Sequence, residues 1–163
     1  MRMLSIKTFA GAIALLAITC LPAAAQSKNM TPQEQKNLKF VMDWWREGFV
    51  AGHPEAADKY LAPDLIQHNP NAPNGSAPIK AMLSRLKPMN PIPATIPADR
   101  MPAMAFGKGD YVVLIWERNG KDPVDPAKTY KWNDFDVFRL ENGKIAEHWD
   151  GAMKNPPNGA GKE

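Results

Sequence analysis

From Tyr130 to Asp150 the chain reads YKWNDFDVFRLENGKIAEHWD, two alternating runs on either side of an Asn142-Gly143 pair. Asn-Gly between such runs is the strongest short-range signal for a two-residue type I′ turn, so this segment predicts a closing β-hairpin. Successive strand residues point to opposite faces. Tyr130, Trp132, Asp134, Asp136, Phe138 and Leu140 therefore share one face, while Lys131, Asn133, Phe135, Val137 and Arg139 share the other. The first face is apolar except for its two aspartates. A carboxylate there must be hydrogen-bonded, protonated or open to a cavity that holds something polar.

Counting outward from a two-residue turn pairs Glu141 with Lys144, Phe138 with Glu147, Val137 with His148 and Asp136 with Trp149. In this register Trp149 joins the aspartate face, and His148 and Asp150 lie on the reverse. A one-residue bulge exchanges His148 and Trp149 between the faces.

Earlier in the chain the period is helical. Thr31, Pro32 and Glu34 form a capping box with proline at the first helical position. Leu38, Val41, Met42, Trp45 and Phe49 then recur at helical spacing until Gly52 closes the stretch. A short helix is expected from Pro54 to Leu61 and a short strand from Leu65 to His68, followed by the turn-rich NPNAPNG from Asn69 to Gly75. Ser76 can cap a third helix with Ile79, Met82, Leu83 and Leu86 on its buried stripe, stopped by Pro88. Prolines 88, 91, 93, 97 and 102 make the next segment an extended loop, either a lid over a cavity or only a connection. Strands from Met101 to Phe106 and from Tyr111 to Glu117 precede the hairpin. Helices first and an antiparallel meander last predict an α+β fold with the helices on one sheet face.

The N-terminus reads as an export signal. Arg2 and Lys7 are basic, Phe9 to Leu21 is almost wholly apolar, and Ala23-Ala24-Ala25 offers a cleavage point after Ala25. Residues 1–25 are thus expected to be removed for export to the periplasm or medium, leaving one domain over 26–153 and a flexible tail over 154–163. The apolar stretch is short for a bilayer span, so no membrane association is expected after cleavage. A lipoprotein reading would anchor the chain at Cys20, but Thr19 and Ala17 fit that signal poorly. The only cysteine leaves with the signal, which removes disulfides, thiolate metal sites and a cysteine nucleophile. Losing Arg2 and Lys7 also takes the formal net charge from +3 to +1, so nothing argues for nucleic acid.

Asp136 lies further inside the sheet than Asp134 and has the more apolar neighbours, so it is the better proton-transfer candidate. The competing reading is a structural aspartate paired with a basic or backbone partner. Histidine as a residue type can act as acid or base near neutral pH, which makes His68 at the end of the short strand a candidate, and Asn69 beside it can orient a carbonyl or enolate. Trp149, Asp134 and Trp132 on the aspartate face, with Trp116 from the preceding strand, are the remaining substrate-contact candidates. His53 reads as part of an interhelical turn. His68, His148 and the aspartates show no metal-ligand spacing, so no metal is expected. There is no glycine-rich phosphate loop, nucleophile elbow or dinucleotide fingerprint, so no cofactor is expected either. Phe135 and Val137 put apolar area on the reverse face, which predicts a homodimer unless a loop or the C-terminal segment covers them.

The order of long helix, short helix, IQHNPNAPNG, third helix and closing FDVFRLENGKIAEHWD resembles the SnoaL-like polyketide cyclases, within the superfamily named after nuclear transport factor 2. The resemblance runs from about Thr31 to Met153. It is most specific at Gln67 to Pro70 and from Asp136 through Arg139, Gly143, Lys144 and Ile145 to Asp150. It implies a cone-shaped α+β barrel with three helices against a curved antiparallel sheet around an apolar pocket. It also implies cofactor-free and metal-free aldol closure or isomerisation of a small apolar carbonyl compound, driven by a carboxylate, often with a histidine. The same pocket elsewhere in the superfamily serves ligand carriers and interaction domains. On this resemblance Asp136 matches the aspartate of the family's DxFR segment. Asn69 falls where related steroid isomerases carry their general base, which asparagine cannot be, so His68 or Asp136 would supply the proton transfer.

Overall fold

The first helix, α1 (Pro32–Trp44), starts on the expected capping box. Thr31 Oγ1 accepts from the Glu34 N–H at 3.2 Å, and Glu34 Oε2 accepts from the Thr31 N–H at 2.7 Å. The remaining oxygen of Glu34 reaches further. Glu34 Oε1 accepts from the Gly109 N–H at 2.9 Å, while Asn37 Nδ2 donates to the Gly109 carbonyl at 3.0 Å. With the side chain buried, the N–H groups of Gly109 and then Thr31 hold the Glu34 carboxyl at about 2, against an ordinary 4.5.

A depressed folded-state pKa gives stability that is complete above the unfolded value and lost as pH falls through the folded one. Glu34→Gln is therefore expected to lower stability at neutral pH, with its deficit against wild type closing as pH falls from 4.5 towards about 2. Urea unfolding across that range measures it. A pH-independent deficit would rule this account out.

The computed structural model describes residues 29 to 154. The expected signal segment 1–25, its cleavage after Ala25, and all but the first residue of the expected tail 154–163 lie outside the described residues. After α1 the chain winds through a π-helical turn, Trp45–Val50, into α2 (Glu55–Tyr60), β1 (Leu61–Gln67) and α3 (Ser76–Leu83). The proline-rich stretch holds only a 3₁₀ turn, Ala98–Arg100, before β2 (Met104–Lys108), β3 (Tyr111–Lys121), β4 (Thr129–Glu141) and β5 (Lys144–Asp150). The strands form one sheet in the order β1-β5-β4-β3-β2, with the three helices against it. This is the expected cone-shaped α+β arrangement. The sheet is mixed, because β1 adds parallel to β5 while the other neighbours are antiparallel. No tight turn joins β1 to β5, so nothing forces the antiparallel direction.

Several boundaries differ from the expected ones. The strand expected at Leu65 begins at Leu61, directly after α2, and β2 begins at Met104 rather than Met101. Gly75, not Ser76, is the cap of α3. Its φ of 94° is a conformation glycine adopts freely, and its N–H donates to the Leu65 carbonyl at 2.7 Å. On the expected stripe of α3 only Leu83 is fully buried, since Leu86 lies beyond the helix end.

The core lies between α1, α2, α3 and the inner sheet face, where Val41, Trp44, Leu65, Leu83, Val112, Leu114 and Ile145 are all but removed from solvent. Gly107 on β2 lets α1 lie directly on the sheet: a Cβ there would sit 2.7 Å from the Glu34 carbonyl oxygen. The proline-rich segment is a pinned connection. His53 Nε2 bonds the Met89 carbonyl at 3.0 Å and its Nδ1 bonds Glu55 Oε1 at 2.8 Å. Arg46 and Arg100 each donate to a carbonyl, of Pro93 and of Val50, at 3.2 Å. Acceptors at both nitrogens, the Met89 carbonyl first, raise the His53 pKa above 6.5. Among the described residues no helix is long and apolar enough to cross a membrane.

Candidate active site

The Asn142-Gly143 turn forms with both residues at positive φ, 50° and 74°. Immediately beyond it the register shifts. Leu140 pairs with Ile145, but Arg139 pairs with Glu147, which leaves Ala146 as a bulge. Phe138 then faces His148, Val137 faces Trp149 and Asp136 faces Asp150. The expected pairing of Asp136 with Trp149 is therefore corrected, and His148 and Trp149 change sides. The physical reason lies at Glu147. Unbulged, this carboxylate would sit opposite Phe138, which is only 4 % exposed; bulged, it accepts from Arg139 Nε at 2.6 Å on the outer face.

On the inner face the bulge completes a polar chain. Trp116 Nε1 donates to Asp136 Oδ2 at 2.6 Å, Asp136 Oδ1 lies 2.9 Å from His148 Nε2, and His148 Nδ1 lies 2.8 Å from Gln67 Oε1. The imidazole stacks on Phe138 with centroids 4.9 Å apart, and Trp116 packs on Trp45 at 4.4 Å. Either end of the Gln67 amide can be turned to the imidazole, so the chain can hold the His148 proton on either nitrogen. That is what a histidine passing a proton to and from Asp136 requires.

Beside this chain, Asn69 Nδ2 donates to Asp150 Oδ2 at 2.7 Å, and Asn69 Oδ1 accepts from the Asn71 N–H at 2.8 Å. The NPNAPNG turn is itself stapled to β1 and β5. His68 donates its N–H to the His148 carbonyl at 2.9 Å, and Asn74 Oδ1 accepts from the Gln67 N–H at 2.9 Å. Gln67, Asn69, Asp136, His148 and Asp150 line one wall of a cavity of about 170 Å³ whose other walls include Trp44, Leu65, Ile79 and Met82. An apolar cavity of about 150 Å³ holds a molecule of benzene size, so this one suits a single small ring.

Of the residues expected at the site, the structure brings Asp136 and Asn69 to the cavity and places Trp116 on Asp136. His68 and Trp149 are placed elsewhere. Their rings stack at 4.3 Å and 3° on the outer face, and His68 Nε2 bonds Glu147 Oε2 at 2.8 Å. His68 and then Arg139 hold the Glu147 carboxyl below its usual range. His68 is corrected because Gln67 turns inward on β1, so its neighbour turns outward, and Trp149 because the bulge at Ala146 puts it opposite Val137 on the outer face. Asp134 and Trp132 share the inner face but lie beyond the cavity. Asp134 Oδ1 accepts from the Phe135 N–H at 2.9 Å, and Trp132 is half exposed. Gln67, His148 and Asp150 were not among the expected site residues. Ligand atoms of Asp136, His148 and Asp150 fall within 4.8 Å of one another, the spacing a metal ion would need, although each of these atoms already has a protein partner.

Among solved structures, one from Jannaschia sp. CCS1 described as a SnoaL-like polyketide cyclase is 20% identical with a TM-score of 0.50, over 76% of this chain and 90% of that one. A protein from Catenulispora acidiphila with a ketosteroid isomerase-like fold, in complex with trimethylamine, is 18% identical with a TM-score of 0.45, covering 77% and 89%. One from Acidithiobacillus ferrooxidans described as a polyketide cyclase is 22% identical with a TM-score of 0.47, covering 74% and 89%. A search of curated proteins finds no match. The SnoaL-like domain family matches residues 41–148, and the chain, which folds as the Jannaschia protein does, belongs to that family.

Proposed function

We propose that this protein is a cofactor-independent enzyme that moves a proton beside the carbonyl of a small, mainly apolar compound, leading to isomerisation or aldol-type ring closure. The observation that supports this is the Asp136 carboxylate, held between Trp116 Nε1–H and His148 Nε2 at the wall of a ring-sized apolar cavity. In this reading Asp136 Oδ1 removes the proton, the carbon–hydrogen electrons pass into the enolate, and the proton moves between Asp136 and His148 until it returns to carbon in isomerisation or, in ring closure, goes to the alkoxide formed when the enolate carbon attacks the second carbonyl. The Asn69 amide, oriented by Asp150, hydrogen-bonds the enolate oxygen.

The two histidines nearest the cavity, His148 and His68, distinguish this mechanism from its alternative. α-Proton exchange of cyclohexanone in D₂O, followed by NMR, reports the step without knowledge of the product. His148→Gln is expected to slow exchange by about 10²-fold, the usual share of an acid–base group, and His68→Gln to leave it within about twofold. Loss of exchange in the His68 variant alone would remove the Asp136–His148 pair from the mechanism.

A second reading, a non-catalytic ligand-binding domain, draws on the fact that Asp136, His148, Gln67, Asn69 and Asp150 already satisfy one another. A co-purified ligand recovered chemically unchanged after incubation, with no exchange of any ketone offered, would favour it. Under either reading we propose export through the N-terminal segment. We also propose a homodimer through the outer sheet face, where Phe135, Tyr111 and Met104 are each more than two-fifths exposed. Light scattering is expected to give twice the chain mass, and a monomer at working concentration rejects the dimer.

A further inference from the structure

Behind the aromatic wall formed by Trp45, Phe49 and Trp116 lies a second, larger cavity of about 550 Å³, between the proline-rich segment and β3. Trp45 and Phe49 belong to the walls of both cavities, while Trp116 lines the outer one and reaches the inner one only through its bond to Asp136. The outer chamber differs from the inner one in charge. Lys87, Arg100 and Arg118 border it, against Asp99 and Glu117. Glu117 is engaged elsewhere, since its Oε1 accepts from Lys131 Nζ at 2.7 Å. Arg118 lies over the Trp116 ring, 5.2 Å from its centroid, and comes no nearer than 3.8 Å to Asp134. Arg100 spends one donor on the Val50 carbonyl, and neither Arg100 nor Lys87 has a carboxylate within ion-pair distance among the described residues. Guanidinium donors left over above an aromatic floor fit a planar anion carried on a flat apolar body.

We infer that the outer chamber is a binding site for an organic carboxylate with an apolar or aromatic body, its carboxylate at Arg100, Arg118 and Lys87 and its body on Trp45 and Trp116. This rests on the proposed proton-transfer reading and extends it by naming the charge of the substrate, a keto acid. A neutral ketone leaves Arg100 and Lys87 without a carboxylate partner and Arg118 with only its long contact to Asp134.

Isothermal titration of the full chain with benzoate and with benzyl alcohol tests the inference without turnover. Benzoate is expected to bind about tenfold or more tightly than the alcohol, the usual worth of a charged hydrogen bond. In the Lys87→Gln, Arg100→Gln, Arg118→Gln triple variant, benzoate affinity is expected to fall to that of the alcohol. Unchanged alcohol affinity there shows that the chamber is still folded. Equal affinities in the native protein, or a benzoate preference that survives the triple variant, would overturn the site. A native protein that prefers benzoate yet exchanges no α-protons keeps this site and loses the proton-transfer reading.

Discussion

Asp136→Asn is expected to lower ketone α-proton exchange by about 10² to 10⁴-fold, the range for loss of a positioned general base. The substitution keeps size and shape. An amide oxygen can still accept from Trp116 Nε1, while the new NH₂ can donate to His148 Nε2 once the imidazole proton moves to the Gln67 side. The folded structure therefore has a complete set of partners in the variant, and what disappears is the carboxylate's basicity. Thermal unfolding within a few degrees of wild type would accompany the lost exchange. Exchange at the native rate in a folded Asp136→Asn protein would mean that this carboxylate is structural, as the competing reading of the sequence had it.

Trp44→Ala is expected to cost about 3–5 kcal/mol, the range for removing a large aromatic side chain from a core. The ring is 1 % exposed and meets Phe49 edge-on at 5.3 Å and Tyr60 at 6.2 Å. Gly48 packs under it so closely that a Cβ there would lie 2.8 Å from the ring, so collapse into the vacated space is limited by backbone. Trp44 also forms part of the inner cavity wall, and its loss enlarges that space. The variant should thus be much less stable in urea yet accept a two-ring ketone that the native cavity rejects. A stability loss below about 1 kcal/mol would contradict this packing, since buried aromatic truncations rarely cost so little.

How far such a site can be read in advance differs from element to element. The capping box at Thr31 and the Asn142-Gly143 turn are local chemistry, and both form where their residues stand. The inner face of β4 was legible from alternation alone, and with it Asp136. The partner of Asp136 was not, because which side of β5 faces inward depends on a bulge at Ala146 that alternation does not encode. A signal for the bulge was nonetheless present: Arg139 and Glu147 can meet across the strands only if one residue is skipped, and they do. Gln67 and Asp150 depended on the parallel pairing of β1 with β5, a contact between distant parts of the chain that no window of sequence contains.

The two-ended hold on Gly109, by Glu34 on its N–H and Asn37 on its carbonyl, has a consequence for how the molecule opens. Fraying of the first turn of α1 releases the β2–β3 turn at the same moment, and loosening of that turn strips Glu34 of a partner. In hydrogen exchange the amide of Gly109 should therefore share the opening free energy of the helix start and not that of an ordinary exposed hairpin tip. Two segments more than seventy residues apart thus behave as one cooperative unit.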